Sequence, residues 1–119
     1  MPHTKATFHV RRGNALTSII DIQGEMTALA EHELMHNYRK ACVPNARTII
    51  LNFTNLEYMN SSGIGLLVTL LIRINRQKQR LLTYGLNEHY QHIFKLTRLD
   101  EVIGMYKTEA EALAASVVA

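Results

Sequence analysis

The chain has 119 residues, of which 47% are hydrophobic and 19% charged, with a formal net charge of +3. This is ordinary globular composition, and the length fits one domain, read here as residues 1–119, because domains commonly hold about 100–150 residues. Two prolines and six glycines exclude a collagen-like or proline-rich chain, and the longest near-apolar run, Ile64 to Ile72, falls far short of the ~20 residues that a bilayer span needs.

The N-terminal MPHTKATFHV has no apolar stretch or small-residue cleavage site, so no secretion signal is expected. The lone Cys42 cannot form an internal disulfide and suits a reducing compartment, hence the cytoplasm. Phe8 and Val10, then Ala15 to Ile22, read as two strands joined at Arg12-Gly13-Asn14, since Gly-Asn between alternating segments signals a hairpin. Gln23-Gly24-Glu25 is expected to end the second strand. Ala28 to Cys42 reads as a helix with Thr27 at its N-cap. At about 100° per residue, Ala30, Leu34, Tyr38, Ala41 and Cys42 share one of its faces. Pro44-Asn45 stops it.

Thr48 to Phe53 is a short β-branched, nearly continuous apolar run bounded by turn residues, which predicts a strand buried on both faces. Asn55 to Met59 is expected to be a loop. A second helix is predicted from about Ser61 to Gln79, with Ile64, Leu67, Val68, Leu71 and Ile72 on the sheet and Leu66 and Leu70 toward water. Leu81 to Tyr84 is a strand closed by Gly85, and Asn87 to Leu96 a short helix capped by Asn87. Val102 to Tyr106 is a last strand. A closing helix begins at Thr108, where Thr-x-x-Glu to Glu111 is a capping box. Two strands followed by helix-strand units predict an α/β domain: a mixed sheet of four or five strands with parallel crossovers and helices mainly on one face.

The segment Asn52-Phe-Thr-Asn-Leu-Glu-Tyr-Met-Asn-Ser-Ser-Gly-Ile-Gly65 carries the functional argument. A buried strand ends, a polar stretch follows, and Ser61 and Ser62 sit where a helix begins. A helix N-terminus has unsatisfied N–H groups and about half a positive charge, which favours an anion. A hydroxyl there is either a cap or an acceptor for phosphate, which would add ~1.5–2 negative charges. The spacing alone is what any N-cap shows, so both readings stand. Gly63 and Gly65 in the first turn cost helix propensity and are expected to permit close approach of a backbone. The two outward leucines would form a docking patch.

The stretch LNFTNLEYMNSSGIGLL resembles the core of the STAS domain, the fold of bacterial anti-sigma factor antagonists, whose signature is a strand, a loop and Met-Asp-Ser-Ser/Thr-Gly-Leu/Ile-Gly opening a helix. Ile22-Gln-Gly-Glu-Met26 is similar to that family's Leu-x-Gly-Glu-Leu turn, and the likeness runs from about Phe8 to Leu113. The resemblance implies a partner-switching regulator that is itself no enzyme and needs no cofactor. A kinase-type anti-sigma factor of the ATP-binding kinase fold would phosphorylate Ser61, with Ser62 the alternate, and a serine phosphatase would reset it. Asn60, Gly63, Gly65 and Thr27 would line the site. Leu66, Leu70, Arg73 and Met59 would form the contact surface. Asn60 and Thr27 stand where the family usually has aspartate, so two negative charges near Ser61 are missing. A non-phosphorylated STAS scaffold subunit of a signalling assembly, with a homo-oligomer allowed, is the alternative within the family.

Other constellations compete. His32-Glu-Leu-Met-His36 matches the HExxH pattern, whose histidines bind zinc one turn apart with Glu33 as base. Against a zinc hydrolase, His32, His36 and Arg39 fall opposite the face of Leu34 and Tyr38, and Arg39 and Cys42 stand where the metzincin extension has glycine and histidine. An exposed histidine pair binding metal adventitiously is the alternative. His89 and His92 beside Glu88 are a weaker pair. Arg73, Arg76, Lys78 and Arg80 are either helix-end cations or a steering surface for an acidic partner. No nucleic-acid motif accompanies them, and neither nucleic acid nor membrane is an expected partner.

Overall fold

The computed structural model describes residues 5–117; the first four residues, where the MPHT of the leader reading lies, and the last two fall outside the described residues. Along the described chain run β1 Thr7–Asn14, β2 Thr17–Met26, α1 Glu31–Ala41, β3 Thr48–Met59, α2 Ser61–Arg76, β4 Arg80–Tyr84, α3 Glu88–Leu96, β5 Gly104–Tyr106 and α4 Glu109–Ser116. Short 3-10 helices at Ala28–Ala30 and Leu99–Glu101 precede α1 and β5. The strands form one sheet in the order β1-β2-β3-β4-β5. β1 is antiparallel to β2, and the other three pairings are parallel.

β3 shows why a continuous apolar run makes a central strand. Ile49, Leu51 and Phe53 point into the larger core with Ile20, Ile22 and the inner faces of α1, α2 and α3. Ile50 points the other way and meets Ile19, Leu82, Tyr84 and Ala112 of α4. Each such fully buried side chain contributes about 1.5–3 kcal/mol relative to exposure. Among the described residues, three helices therefore cover one face and the short α4 alone covers the other.

Several local readings are corrected by the structure. The hairpin turns at Ala15-Leu16, not at Arg12-Gly13-Asn14. The Asn14 side chain accepts from the Leu16 N–H at 3.1 Å, and the register shifts between Arg12 and Asn14. Gly13 serves packing instead, since a Cβ there would stand 2.7 Å from Leu113 Cδ2 of α4. Gln23-Gly24-Glu25 does not end β2: Gly24 takes φ +87° and absorbs an irregularity in the pairing with β3.

The Asn55–Met59 stretch is strand, not loop. Pairing to β4 stops at Asn52, but β2 continues beside β3 as far as Met59, so the backbone stays bonded while one edge and the polar side chains meet water. At the far end of α2 the helix closes at Arg76, and the chain turns left-handed at Lys78 (φ 57°). The last strand is shorter than expected, because Leu99–Glu101 forms a 3-10 helix and Gly104 starts β5.

Thr27, Asn60, Asn87 and Thr108 each cap a helix as their residue types predict. Thr27 caps the 3-10 helix rather than α1 itself. At α4, Thr108 Oγ1 accepts from Glu111 N–H at 3.1 Å, while the Glu111 carboxylate reaches the Lys107 N–H at 3.0 Å, one residue earlier than a capping box requires. Among the described residues, no helix is long and apolar enough to cross a membrane.

Candidate functional site

The β3–α2 junction is held by a chain of backbone-directed hydrogen bonds. Met59 N–H donates to the Tyr90 hydroxyl of α3 at 2.8 Å, and Asn60 N–H donates to the Met26 carbonyl at the end of β2 at 3.2 Å. Asn60 then caps α2, its Oδ1 accepting from Gly63 N–H at 2.9 Å. Gly63 is buried against the end of β2: a Cβ at this position would lie 2.2 Å from the Met26 carbonyl oxygen and 2.9 Å from Met59 Cγ. Only glycine lets α2 start this close to the neighbouring strand. Gly65 differs, since a Cβ there would meet nothing within 4 Å. The expectation of close approach fits Gly63 and fails for Gly65.

With Asn60 turned inward as the cap, Ser61 and Ser62 are left exposed in the first turn of α2. Their hydroxyls stand where the helix N-terminus supplies positive potential. Thr27, next to Met26, belongs to the loop that this hydrogen bonding ties to the start of α2, and its side chain accepts from Leu29 N–H at 3.3 Å.

The facing of α2 corrects the expected contact surface. Leu66 is 7% exposed, Leu70 fully buried and Met59 also buried, all three within the main core, so they cannot form an outer patch. The exposed apolar residues of α2 are Val68 (38%) and Ile72 (48%), both expected on the sheet. The helix is rotated by roughly one residue, about 100°, from that reading. The close seat of Gly63 against Met26 fixes this phase: with Gly63 inward, Leu66, Leu67, Leu70 and Ile74 follow it at helical spacing. Its outer face is then a stripe of Ser61, Gly65, Val68, Ile72 and Arg76. Arg73 is exposed at the edge of this stripe, on a groove shared with α1. From the sequence, Tyr90 has no assigned role, Met26 figures only in the Ile22–Met26 turn, and Val68 and Ile72 are placed on the sheet. The polar positions Ser61, Thr69, Arg73 and Arg76 carried the signal for the last two, since they mark the wet phase of the helix.

The HExxH residues lie elsewhere. His32, Glu33 and His36 are exposed on α1, with the imidazole rings nearly parallel and their centroids 6.5 Å apart. Among the described residues, no third His, Cys, Asp or Glu joins them to form a group that could hold a metal. His89 and His92 are also exposed, and the ring of His89 meets Tyr90 edge-on.

The opposite face of the sheet carries a polar network with a structural role. Arg11 donates to Asp21 at 2.8 and 3.0 Å, to Glu109 of α4 at 2.5 Å and to the Tyr84 hydroxyl at 3.2 Å. Tyr84 donates to Glu109 at 2.9 Å, and Asn52 donates to Asp21 at 2.8 Å. Four strands and α4 are thus tied together. Partial burial pushes the Asp21 carboxyl upward, but hydrogen bonds from Arg11 and Asn52 outweigh it and hold it below its ordinary range. Arg11, then Tyr84, hold the Glu109 carboxyl low as well. Burial and the bond to Glu109 push the Tyr84 phenol up to about 12.

Comparison with known proteins agrees with this architecture. Residues 9–112 match the family model of the STAS domain. An anti-sigma-B factor antagonist of Staphylococcus aureus (strain NCTC 8325 / PS 47) is 27% identical over 93 residues, which span 77% of this chain and 86% of that protein. An anti-sigma factor antagonist from Mycobacterium paratuberculosis shares the fold with a TM-score of 0.79 and 17% identity over 94% of each chain. The anti-sigma factor antagonist SpoIIAA in its unphosphorylated form gives 0.74 and 23% identity, covering 95% of this chain and 100% of that one. Bacillus SpoIIAA in the phosphorylated form gives 0.71 and 24%, covering 92% and 98%. An opening hairpin, a β3–α2 junction built on Asn60 and Gly63, and a family match over most of its length place the chain in one lineage: it belongs to the STAS domain family.

Proposed function

We propose that this chain is an anti-sigma factor antagonist whose binding to a kinase-type anti-sigma factor is switched by phosphorylation of Ser61. The observation that carries the reading is an exposed serine held at the start of α2 by a cap and a buried glycine that leave it no local task. Asn60 does the capping, so the Ser61 hydroxyl is not needed for the fold. The domain supplies no chemistry of its own here; the phosphoryl group comes from the partner's ATP and is removed by a phosphatase. The serine's surroundings tolerate the modification, because a helix N-terminus favours the added negative charge.

The docking surface in this reading is the stripe below Ser61. Gly65 leaves a side-chain-free window, and Val68 and Ile72 offer apolar contact. A phosphate at one end of that stripe disrupts the partner's fit by charge and bulk without remodelling the domain. A family relative, SpoIIAA, has structures in both unphosphorylated and phosphorylated forms, which supports a switch of this kind.

The test is titration of the cognate anti-sigma partner against three forms. Ser61→Ala is expected to bind as tightly as the native protein and to resist modification. Ser61→Asp is expected to bind about tenfold or more weakly, as a misplaced interface charge does. Equal affinity of all three forms would rule out the switch and favour a scaffold that assembles without phosphorylation.

A further inference from the structure

The other end of α2 carries a feature that the serine switch does not use. Between the C-terminal halves of α1 and α2 lies an open groove of about 670 Å³. Tyr38, Cys42 and Ile72 give it an apolar surface, and Arg39, Arg73 and Arg76 give it charge. None of these three arginines forms an ion pair with a described residue. Each lies in the last turns of its helix, where the dipole favours a cation. That explains one cation per helix end. It does not explain three converging on one concavity, where Arg73 and Arg76, one turn apart, repel each other. A concave surface lined by one sign of charge concentrates the field and draws in the opposite charge.

We propose that this groove seats an acidic segment of the protein partner, one carrying a large apolar side chain among its carboxylates. The inference rests on the partner-switch reading and adds a second point of contact to it. Ile72 belongs to both surfaces, as the last exposed apolar residue of the stripe and as a wall of the groove. The helix is 16 residues long, so Ser61 and Arg76 are about 22 Å apart at 1.5 Å per residue. A standard interface, about 800 Å² on each partner, covers both ends. The openness of the groove along two helices suits a chain segment better than an enclosed small molecule. Arginine forks pair with carboxylates in two-point geometry. Charges at this distance from Ser61 act mainly on association rate and salt dependence, and they act alike on both states of the serine.

The test uses a fluorescein-labelled peptide, Glu-Glu-Leu-Phe-Glu-Glu, and its counterpart with every Glu replaced by Gln, titrated against the full chain and followed by anisotropy. The acidic peptide is expected to bind at least about tenfold more tightly than the neutral one and to weaken as salt is raised. The double variant Arg73→Glu, Arg76→Glu should lose that binding, and Ser61→Asp should keep it. Far-ultraviolet circular dichroism checks the fold, and the milder pair Arg73→Gln, Arg76→Gln gives the same reading should charge reversal unfold α2. Equal affinity for the two peptides, no measurable binding of the acidic one, or binding that survives both arginine pairs overturns the proposal. Because the peptide reads the groove and the partner titration reads Ser61, failure of either leaves the other result standing.

Discussion

Two glycines two residues apart in α2 make opposite demands, and substituting each by alanine separates them. At Gly63 the new methyl would sit 2.2 Å from the Met26 carbonyl oxygen and 2.9 Å from that carbonyl's carbon. The obstacle is backbone, so either α2 or the end of β2 must move. Overpacking of this kind costs about 1–3 kcal/mol. The movement also disturbs the Asn60 N–H bond to Met26 and the Asn60 cap on Gly63, the latter worth about 1 kcal/mol. Alanine returns about 0.8–1 kcal/mol of helix propensity. The net expectation is a loss of about 2 kcal/mol. At Gly65 nothing opposes the methyl, so Gly65→Ala should stabilise by about 0.5–1 kcal/mol. For a chain of this size 1 kcal/mol moves Tm by about 4 °C, giving a fall of roughly 8 °C in one variant and a rise of a few degrees in the other. The chain has no tryptophan, so urea unfolding is best followed by far-ultraviolet circular dichroism. Equal shifts for the two variants, or a Gly63→Ala protein as stable as the native one, would refute the claim that Gly63 sets the seat and phase of α2.

Two further outcomes follow from named contacts. Asn60→Ala removes the cap on Gly63 and should cost about 1 kcal/mol, whereas Asn60→Asp keeps an acceptor and adds a favourable charge at the helix start, so its urea midpoint should equal or exceed the native one. The Arg11 network makes stability fall at both pH extremes. Asp21 and Glu109 have folded values below their ordinary 3.8 and 4.5, so their contribution is complete above that range and is lost as pH falls through the lowered values. Tyr84 is raised from 10.0 to about 12, so unfolded chains ionise first and stability declines as pH rises through that interval. Arg11→Met should flatten the acid limb of a urea-midpoint profile, and an unchanged limb would show that Arg11 does not hold these carboxylates.

What the sequence made legible was local chemistry. Asn60, Asn87 and Thr108 cap helices because short polar side chains before an apolar run have few better uses, and Ile49, Ile50, Leu51 and Phe53 lie buried on both faces of β3 because an apolar run gains by leaving water on either side. Gly85 closes β4 with φ +82°, as a glycine after a strand suggests. What stayed hidden depended on distant partners. Asn55 to Met59 has loop composition, yet it is a strand because Gln23 to Met26 runs alongside it. The phase of α2 is fixed by the seat of Gly63 on the Met26 carbonyl; Ser61, Thr69, Arg73 and Arg76 mark the wet side, but an apolar content on nearly every other side left the choice of face ambiguous. Arg11 and Glu109 are 98 residues apart in sequence, and only the folded sheet brings them together. Of the expected contact residues, Arg73 remains available at the surface. Leu66, Leu70 and Met59 give way to Val68 and Ile72, which share the exposed stripe with Ser61.

The direct measurement is phosphosite mapping of the protein purified from its native cells, by intact mass followed by fragmentation of the peptide that spans Asn60 to Gly65. A partner switch built on α2 predicts a single phosphoryl group, located on Ser61, in a fraction that changes with growth condition and vanishes in Ser61→Ala. Modification confined to other residues, or a chain that stays unmodified through every condition in which it is made, would contradict it.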